Sequence, residues 1–163
     1  MNHHVVYRSR FDVTAVKLFD FHASPAAFAR LVPPWEKTRI VSRTGGLEAG
    51  ARVVIETRLA PGVWARWVAV HTAYTPGESF ADEAESGPFK TWRHIHRVVP
   101  DGDAAAWLED DITYALPLGA LGDLVAGPLV KRRLDRMFAH RHRATAEALG
   151  AGITAGFGRD ATT

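Results

Sequence analysis

Residues 119–150 read GALGDLVAGPLVKRRLDRMFAHRHRATAEALG, the longest helix-compatible run in a chain of 163 residues. Gly127-Pro128 divides it. Proline lacks an N–H but fits a first helical turn, so the spacing predicts a main helix from about Pro128, stopped by Gly150. At 100° per residue, Val130, Leu134, Met137, Ala144, Thr145 and Ala148 fall on one side, and Arg141 sits within that apolar stripe. Lys131, Arg132, Asp135, Ala139 and His142 fall largely elsewhere. About twenty residues of amphipathic helix cannot bury a face alone, so the rest of the chain must supply a surface for it.

That surface reads as β-sheet. Val5, Tyr7, Ser9 and Phe11 alternate with Val6, Arg8, Arg10 and Asp12, a strand pattern. Thr14 can cap a short helix through Val16, Leu18, Phe19 and Phe21. Ser24-Pro25 signals a second helix carrying Ala27, Phe28 and Leu31, which Pro33-Pro34 ends. From there turn signals recur at Gly45-Gly46, Ala49-Gly50, Pro61-Gly62, Pro76-Gly77, Gly87-Pro88 and Asp101-Gly102. The runs between them, near 37–43, 51–60, 63–75, 78–86, 89–99 and 106–116, are strand-length and closely joined, hence antiparallel neighbours. The expectation is an α+β, helix-grip arrangement: a seven-stranded curved antiparallel sheet around the long C-terminal helix, with two short helices after the first strand. Residues 1–150 form one domain in this reading and 151–163 a frayed, flexible tail. A curved sheet gripping a helix leaves a cavity between the two.

Composition narrows the function classes. With no cysteine, disulfides, zinc-thiolate sites and thiol nucleophiles are all excluded. Net charge is +2, and no nucleic-acid motif accompanies the basic helix, so a solvated outer face accounts for Lys131, Arg132, Arg133 and Arg136. There is no apolar run of about 18 residues and no signal-peptide pattern. A cytoplasmic chain without stable membrane insertion is expected; a homodimer is left open.

Strand alternation places the candidate chemistry. Leu108, Asp110, Ile112, Tyr114 and Leu116 share a face, and the apolar members turn Asp110 inward. Trp92, His94, His96 and Val98 share a face that Trp92 and Val98 favour as inward, although Ile95 dissents. For Trp67, Ala69 and His71 the alternation is ambiguous. Asp82 reads as part of a solvent-facing acidic cluster, or as inward if Phe80, Asp82 and Ala84 line the inner face. A lone buried charge is costly, so Asp110 and Arg141 must pair with each other, pair with other groups, or meet water. His94-x-His96 has a spacing that metal sites use, but nothing local completes a motif, so neither metal nor cofactor is expected.

Several stretches also resemble a known family. Phe19-x-x-His22-x-x-Pro25-x-x-Phe28-x-x-Leu31-x-Pro33-Pro34-Trp35 looks like the opening of the SRPBCC superfamily, the helix-grip group that includes START lipid-transfer domains and polyketide cyclases. Gly87-Pro88-Phe89-x-x-Trp92-x-His94-x-His96, Leu108-Glu109-Asp110, Tyr114-x-Leu116-Pro117-x-Gly119 and Phe138-x-x-Arg141-His142 are similar to a bacterial ligand-binding branch, some members of which are fused to a sugar-epimerase-like domain. The resemblance covers about residues 5–149 and implies a cavity for a hydrophobic small molecule: aromatic, polyketide-like or lipid-like. Trp67, Trp92, Tyr114 and Met137 would supply apolar contact, and His94, His96, Asp110 and Arg141 a polar end. A cyclase/aromatase or dehydratase is the alternative, with His94 or His71 as proton shuttle and Asp110 as its orienter. A third reading is a protein-interaction domain with a filled core.

Overall fold

The computed structural model describes residues 2–160. Its elements are β1 (Asn2–Phe11), α1 (Ala15–Ala23), α2 (Ala27–Leu31), β2 (Thr38–Thr44), β3 (Arg52–Ala60), β4 (Val63–Thr75), β5 (Ser79–Ser86), β6 (Thr91–Pro100), β7 (Ala106–Ala115), α3 (Ala120–Leu149) and β8 (Ile153–Asp160). One antiparallel sheet takes the order β2-β3-β4-β5-β6-β7-β1-β8. Consecutive strands lie side by side because short turns join them, and β1 returns to pair with β7. The architecture is therefore α+β, a curved sheet with a long C-terminal helix, as the turn spacing predicts.

Three expectations need correction. The supposed tail contains an eighth strand: β8 pairs with β1 from Val6↔Asp160 to Phe11↔Ile153 and covers an edge that would otherwise expose unpaired backbone groups. Residues 161–163 lie outside the described residues. The join is tied by Asp12, which accepts from the Gly152 N–H, and by Arg10 Nη1 donating to Thr154 Oγ1 at 2.8 Å. Gly156 sits at φ +83°, where a Cβ would come within 2.5 Å of the Arg8 carbonyl, so the bulged register there needs glycine.

Second, α3 does not begin at Pro128 but runs unbroken from Ala120 through it. The proline forfeits one backbone bond, while Leu121, Leu124, Val125 and Leu129 around it remain exposed. Gly122 lets this first part pass close to the chain, since a Cβ there would overlap the Pro117 carbonyl. At the other end Gly150 takes the left-handed cap at φ 61°. Third, Ser24 does not cap α2. Its N–H closes α1 on the Phe21 carbonyl and its own carbonyl accepts from Ala27, so α2 starts two residues later than Pro25 suggests. Thr14 does cap α1, accepting from the Lys17 N–H at 3.3 Å.

The core lies between the inner sheet face and α3 in three layers. One apolar layer holds Phe11, Leu18, Phe19, Phe80, Val98, Leu108 and Ala146. Another holds Val5, Tyr7, Trp92, Ile112, Tyr114, Leu134 and Phe138. The residues that fall between them on each element are polar: Ser9 on β1, His94 and His96 on β6, Asp110 on β7 and His142 on α3. The buried face of α3 is Leu134, Phe138, His142, Thr145 and Ala146. It is rotated from the predicted stripe, with Met137 and Arg141 at its margin.

Candidate functional site

Antiparallel register assembles the polar layer. Across the sheet, Tyr7 faces Asp110, Asp110 faces His96, and His96 faces Phe80; one row along, Ile112 faces His94, His94 faces Asp82, and Asp82 faces His71. Directly opposed residues project to the same side, so all of these groups look toward α3. Asp82 therefore belongs to the inner face through the Phe80, Asp82, Ala84 parity, and His71 joins it.

Asp110 is the hub. It is 3% exposed, and its carboxylate meets three imidazoles: His94 Nε2 at 2.9 Å, His96 Nδ1 at 2.8 Å and His142 Nε2 at 2.8 Å. Burial alone would raise its pKa; the His96 charge and hydrogen bonds from His142 and His94 overcome this and hold it well below the usual carboxylate range. An ionised Asp110 only accepts, so His94 and His142 each present an N–H to it and keep the other nitrogen for something else, while His96 Nδ1 lies as near but off hydrogen-bonding geometry. For His142 that is the Ser9 hydroxyl, at 2.7 Å. For His94 it is Asp82, whose Oδ2 lies 3.7 Å from Nδ1.

Burial depresses the pKa of His94 and His96, and also that of His71. His22 on α1 is pushed down to about 4 by burial, against the raising effect of its hydrogen bond to the Leu18 carbonyl at 2.9 Å. Burial raises the pKa of Asp82, with His96, His71 and Arg141 countering it. The interior thus holds two carboxyls shifted in opposite directions, bridged by His94.

The other predicted residues sort as follows. Trp67, Trp92 and Tyr114 form one aromatic wall with Phe89: Trp67 to Trp92 5.1 Å, Phe89 to Trp92 4.9 Å and Phe89 to Tyr114 5.6 Å between ring centroids. Met137 packs half-buried beside it. Arg141 does not ion-pair with Asp110; its guanidinium carbon lies 5.1 Å over the Phe138 ring, and its buried Nε has no hydrogen-bond partner among the described residues. His142, set aside from the helix stripe in the sequence reading, is the residue that reaches Asp110. The four-residue spacing of Leu134, Phe138, His142 and Ala146 is the signal that would have found it.

A recess of about 590 Å³ opens elsewhere, between the α2–β2 connection, the β3–β4 hairpin and α3. Trp35, Leu59 and Leu129 line it with Arg132 and Arg136, and none of the candidate ligand-binding or catalytic residues does. Arg133 at its edge is held by both carboxylate oxygens of Glu36. Among the described residues no helix is long and apolar enough to cross a membrane.

A family model described as "Domain of unknown function (DUF8410)" matches residues 69–149. No curated protein matches the sequence. Among solved structures, the Zhui aromatase/cyclase from Streptomyces sp. R1128 superposes with a TM-score of 0.71 at 17% identity, over 92% of this chain and 94% of that one. A START superfamily protein from Mycobacterium smegmatis gives 0.68 at 16%, over 91% and 97%. A nucleoside-diphosphate sugar epimerase from Corynebacterium glutamicum gives 0.64 at 25%, over 89% of this chain but 29% of that one. The fold is the START/SRPBCC-type helix grip.

Proposed function

We propose that this helix-grip chain takes up a predominantly apolar small molecule, aromatic, polyketide-like or lipid-like, against the inner sheet face, its polar end meeting the His–Asp layer. One observation carries the reading. Trp67 Nε1, His71 Nδ1 and Arg141 Nε are buried without a hydrogen-bond partner among the described residues. An unmet buried polar group costs about 1–3 kcal/mol, so three around one interior favour a guest that satisfies them. Two of the three are obligate donors and one belongs to a cation, so the guest's polar end is an acceptor such as a carbonyl or carboxylate. The wall of Trp67, Phe89, Trp92 and Tyr114 suits the remainder, because flat rings give large apolar contact in fixed geometry. The START-type fold supports this at the level of architecture only.

Native mass spectrometry of freshly expressed protein tests the reading. The expected result is excess mass that dissociates as a small molecule, together with a higher Tm when the stripped protein meets an aromatic carboxylate or polyketide-like probe. A bare mass and an unmoved Tm across such probes would favour a filled-core interaction domain instead.

A second reading, proton-transfer chemistry of the cyclase/aromatase or dehydratase kind, is favoured by the opposed carboxyl shifts. Pairs of titratable groups driven apart by their surroundings are how acid and base roles are divided in one site. Asp110 would orient His94, whose far nitrogen takes a proton from the guest, and Asp82, the carboxyl that burial keeps protonated longest, would return one. His94→Ala should then abolish product while retaining guest affinity; a guest recovered unchanged from the wild type favours binding alone.

A further inference from the structure

Asp82, His94 and His96 each place one donor atom within 4.8 Å of the other two. Side chains two residues apart on a strand ordinarily stand about 6.5–7 Å from one another. Here the His94 and His96 ring centroids are 3.8 Å apart, drawn together by the one oxygen of Asp110 that both approach. That is the arrangement in which a carboxylate behind two histidines fixes their tautomers and turns their opposite nitrogens outward as ligands. The third donor comes from the next strand, since Asp82 is directly opposite His94, a placement that no spacing along one strand could reveal. A further observation points to the same spot. His71, paired with Asp82 from β4, holds a buried Nδ1 without a partner among the described residues.

We propose that Asp82, His94 and His96 form a binding site for a divalent transition-metal cation, with Asp110 as the carboxylate that orients both imidazoles. Two imidazoles and one carboxylate suit zinc, cobalt or iron(II), and the set contains no soft ligand that would select copper(I). Ligand distances of about 2.0–2.2 Å set tetrahedral donor–donor separations near 3.4 Å, so a trio within 4.8 Å must close by at most about 1.4 Å. Asp82 has the least buried side chain of the three, at 17% exposed, so its carboxylate is the group with most freedom to turn toward the cation. Three protein ligands leave at least one coordination position open for water. The site does not depend on the identity of the guest proposed above, and the metal alone probes it.

The test uses the full chain, stripped with a chelator and titrated with Co²⁺, then competed with Zn²⁺. Expected are saturation at one cation per chain, the visible absorption of low-coordinate cobalt and a Tm that rises with metal. Asp82→Asn and His96→Gln should each weaken binding at least tenfold, and Asp110→Asn by about 10–100-fold, the usual effect of removing an orienting carboxylate. Circular dichroism of each metal-free variant checks folding. If His96→Gln or Asp110→Asn fails to fold, the isosteric Asp82→Asn decides alone. His3 and His4 contact Asp123 and Asp111 at the surface and provide the control: His3→Ala with His4→Ala should leave affinity unchanged. Absence of saturable binding, affinity undiminished in Asp82→Asn, or loss of binding in the His3/His4 variant would overturn the proposal.

Discussion

Acidification should unfold this protein early, and His22 gives the scale. Its imidazole is buried between α1 and α3, with Nδ1 on the Leu18 carbonyl and Nε2 3.4 Å from Thr145 Oγ1; His96, Asp110 and His142 are the ionisable groups around it. Burial lowers its pKa from 6.5 to about 4, roughly two and a half pH units, at about 1.4 kcal/mol each. The sign follows from linkage: the unfolded chain binds this proton near 6.5 and the folded chain only near 4, so the stabilisation is complete above 6.5 and lost as pH falls. The total is about 3 kcal/mol, at a slope of about 1.4 kcal/mol per pH unit, a large share of the 5–15 kcal/mol typical of a domain. His71, His94 and His96 are shifted in the same direction and steepen the loss. Asp110 adds to it below the ordinary carboxylate range, while Asp82, shifted upward, opposes it just above that range, where the folded chain binds the extra proton first. Urea unfolding followed by circular dichroism at several pH values between 7.5 and 4.5 measures this, with m checked for constancy. His22→Gln should flatten the dependence by about one proton's slope. A wild-type stability that is level from pH 6.5 to 5, or a His22→Gln slope equal to that of the wild type, would refute the reasoning.

Other expectations follow from the same packing. Asp110→Ala strands three imidazoles and should cost about 3–5 kcal/mol in chemical denaturation, whereas the isosteric Asp110→Asn should cost less. Phe138→Ala, fully buried and stacked on Tyr7 at 4.8 Å, should lose about 3–5 kcal/mol. Gly156→Val should detach β8 from β1, seen as faster amide exchange at Arg8 and Arg10 with the rest of the sheet protected.

How legible was this in the sequence? Turn residues at short intervals dictate antiparallel neighbours, and the strand boundaries follow within a residue or two. The inward placement of Asp110, His94 and His96 follows from alternation, because Leu108, Ile112 and Trp92 can only be buried on one side. What alternation along a single strand cannot supply is register between strands, and both Asp82 opposite His94 and His71 opposite Asp82 are register facts. His142 was hidden because a helix stripe drawn through Val130 and Met137 is turned by one residue from the face that Phe138 and Ala146 bury. Beyond Gly150 the sequence offers three glycines and little hydrophobic pattern, and β8 forms there because β1 presents an open edge, not because its own residues demand a strand.

The indole N–H resonances of the five tryptophans offer the most direct test of the central claim, that the inner face beside the His–Asp layer receives a guest. A ¹⁵N-labelled chain would be titrated with an apolar aromatic carboxylate, with Trp67→Phe used to assign the key signal. Saturable shifts of Trp67 and Trp92 are expected, the unpartnered Trp67 indole moving most, while Trp64 and Trp107 stay in place. Shifts confined to Trp35, which lines the outer recess, or no shifts at all, would contradict the claim.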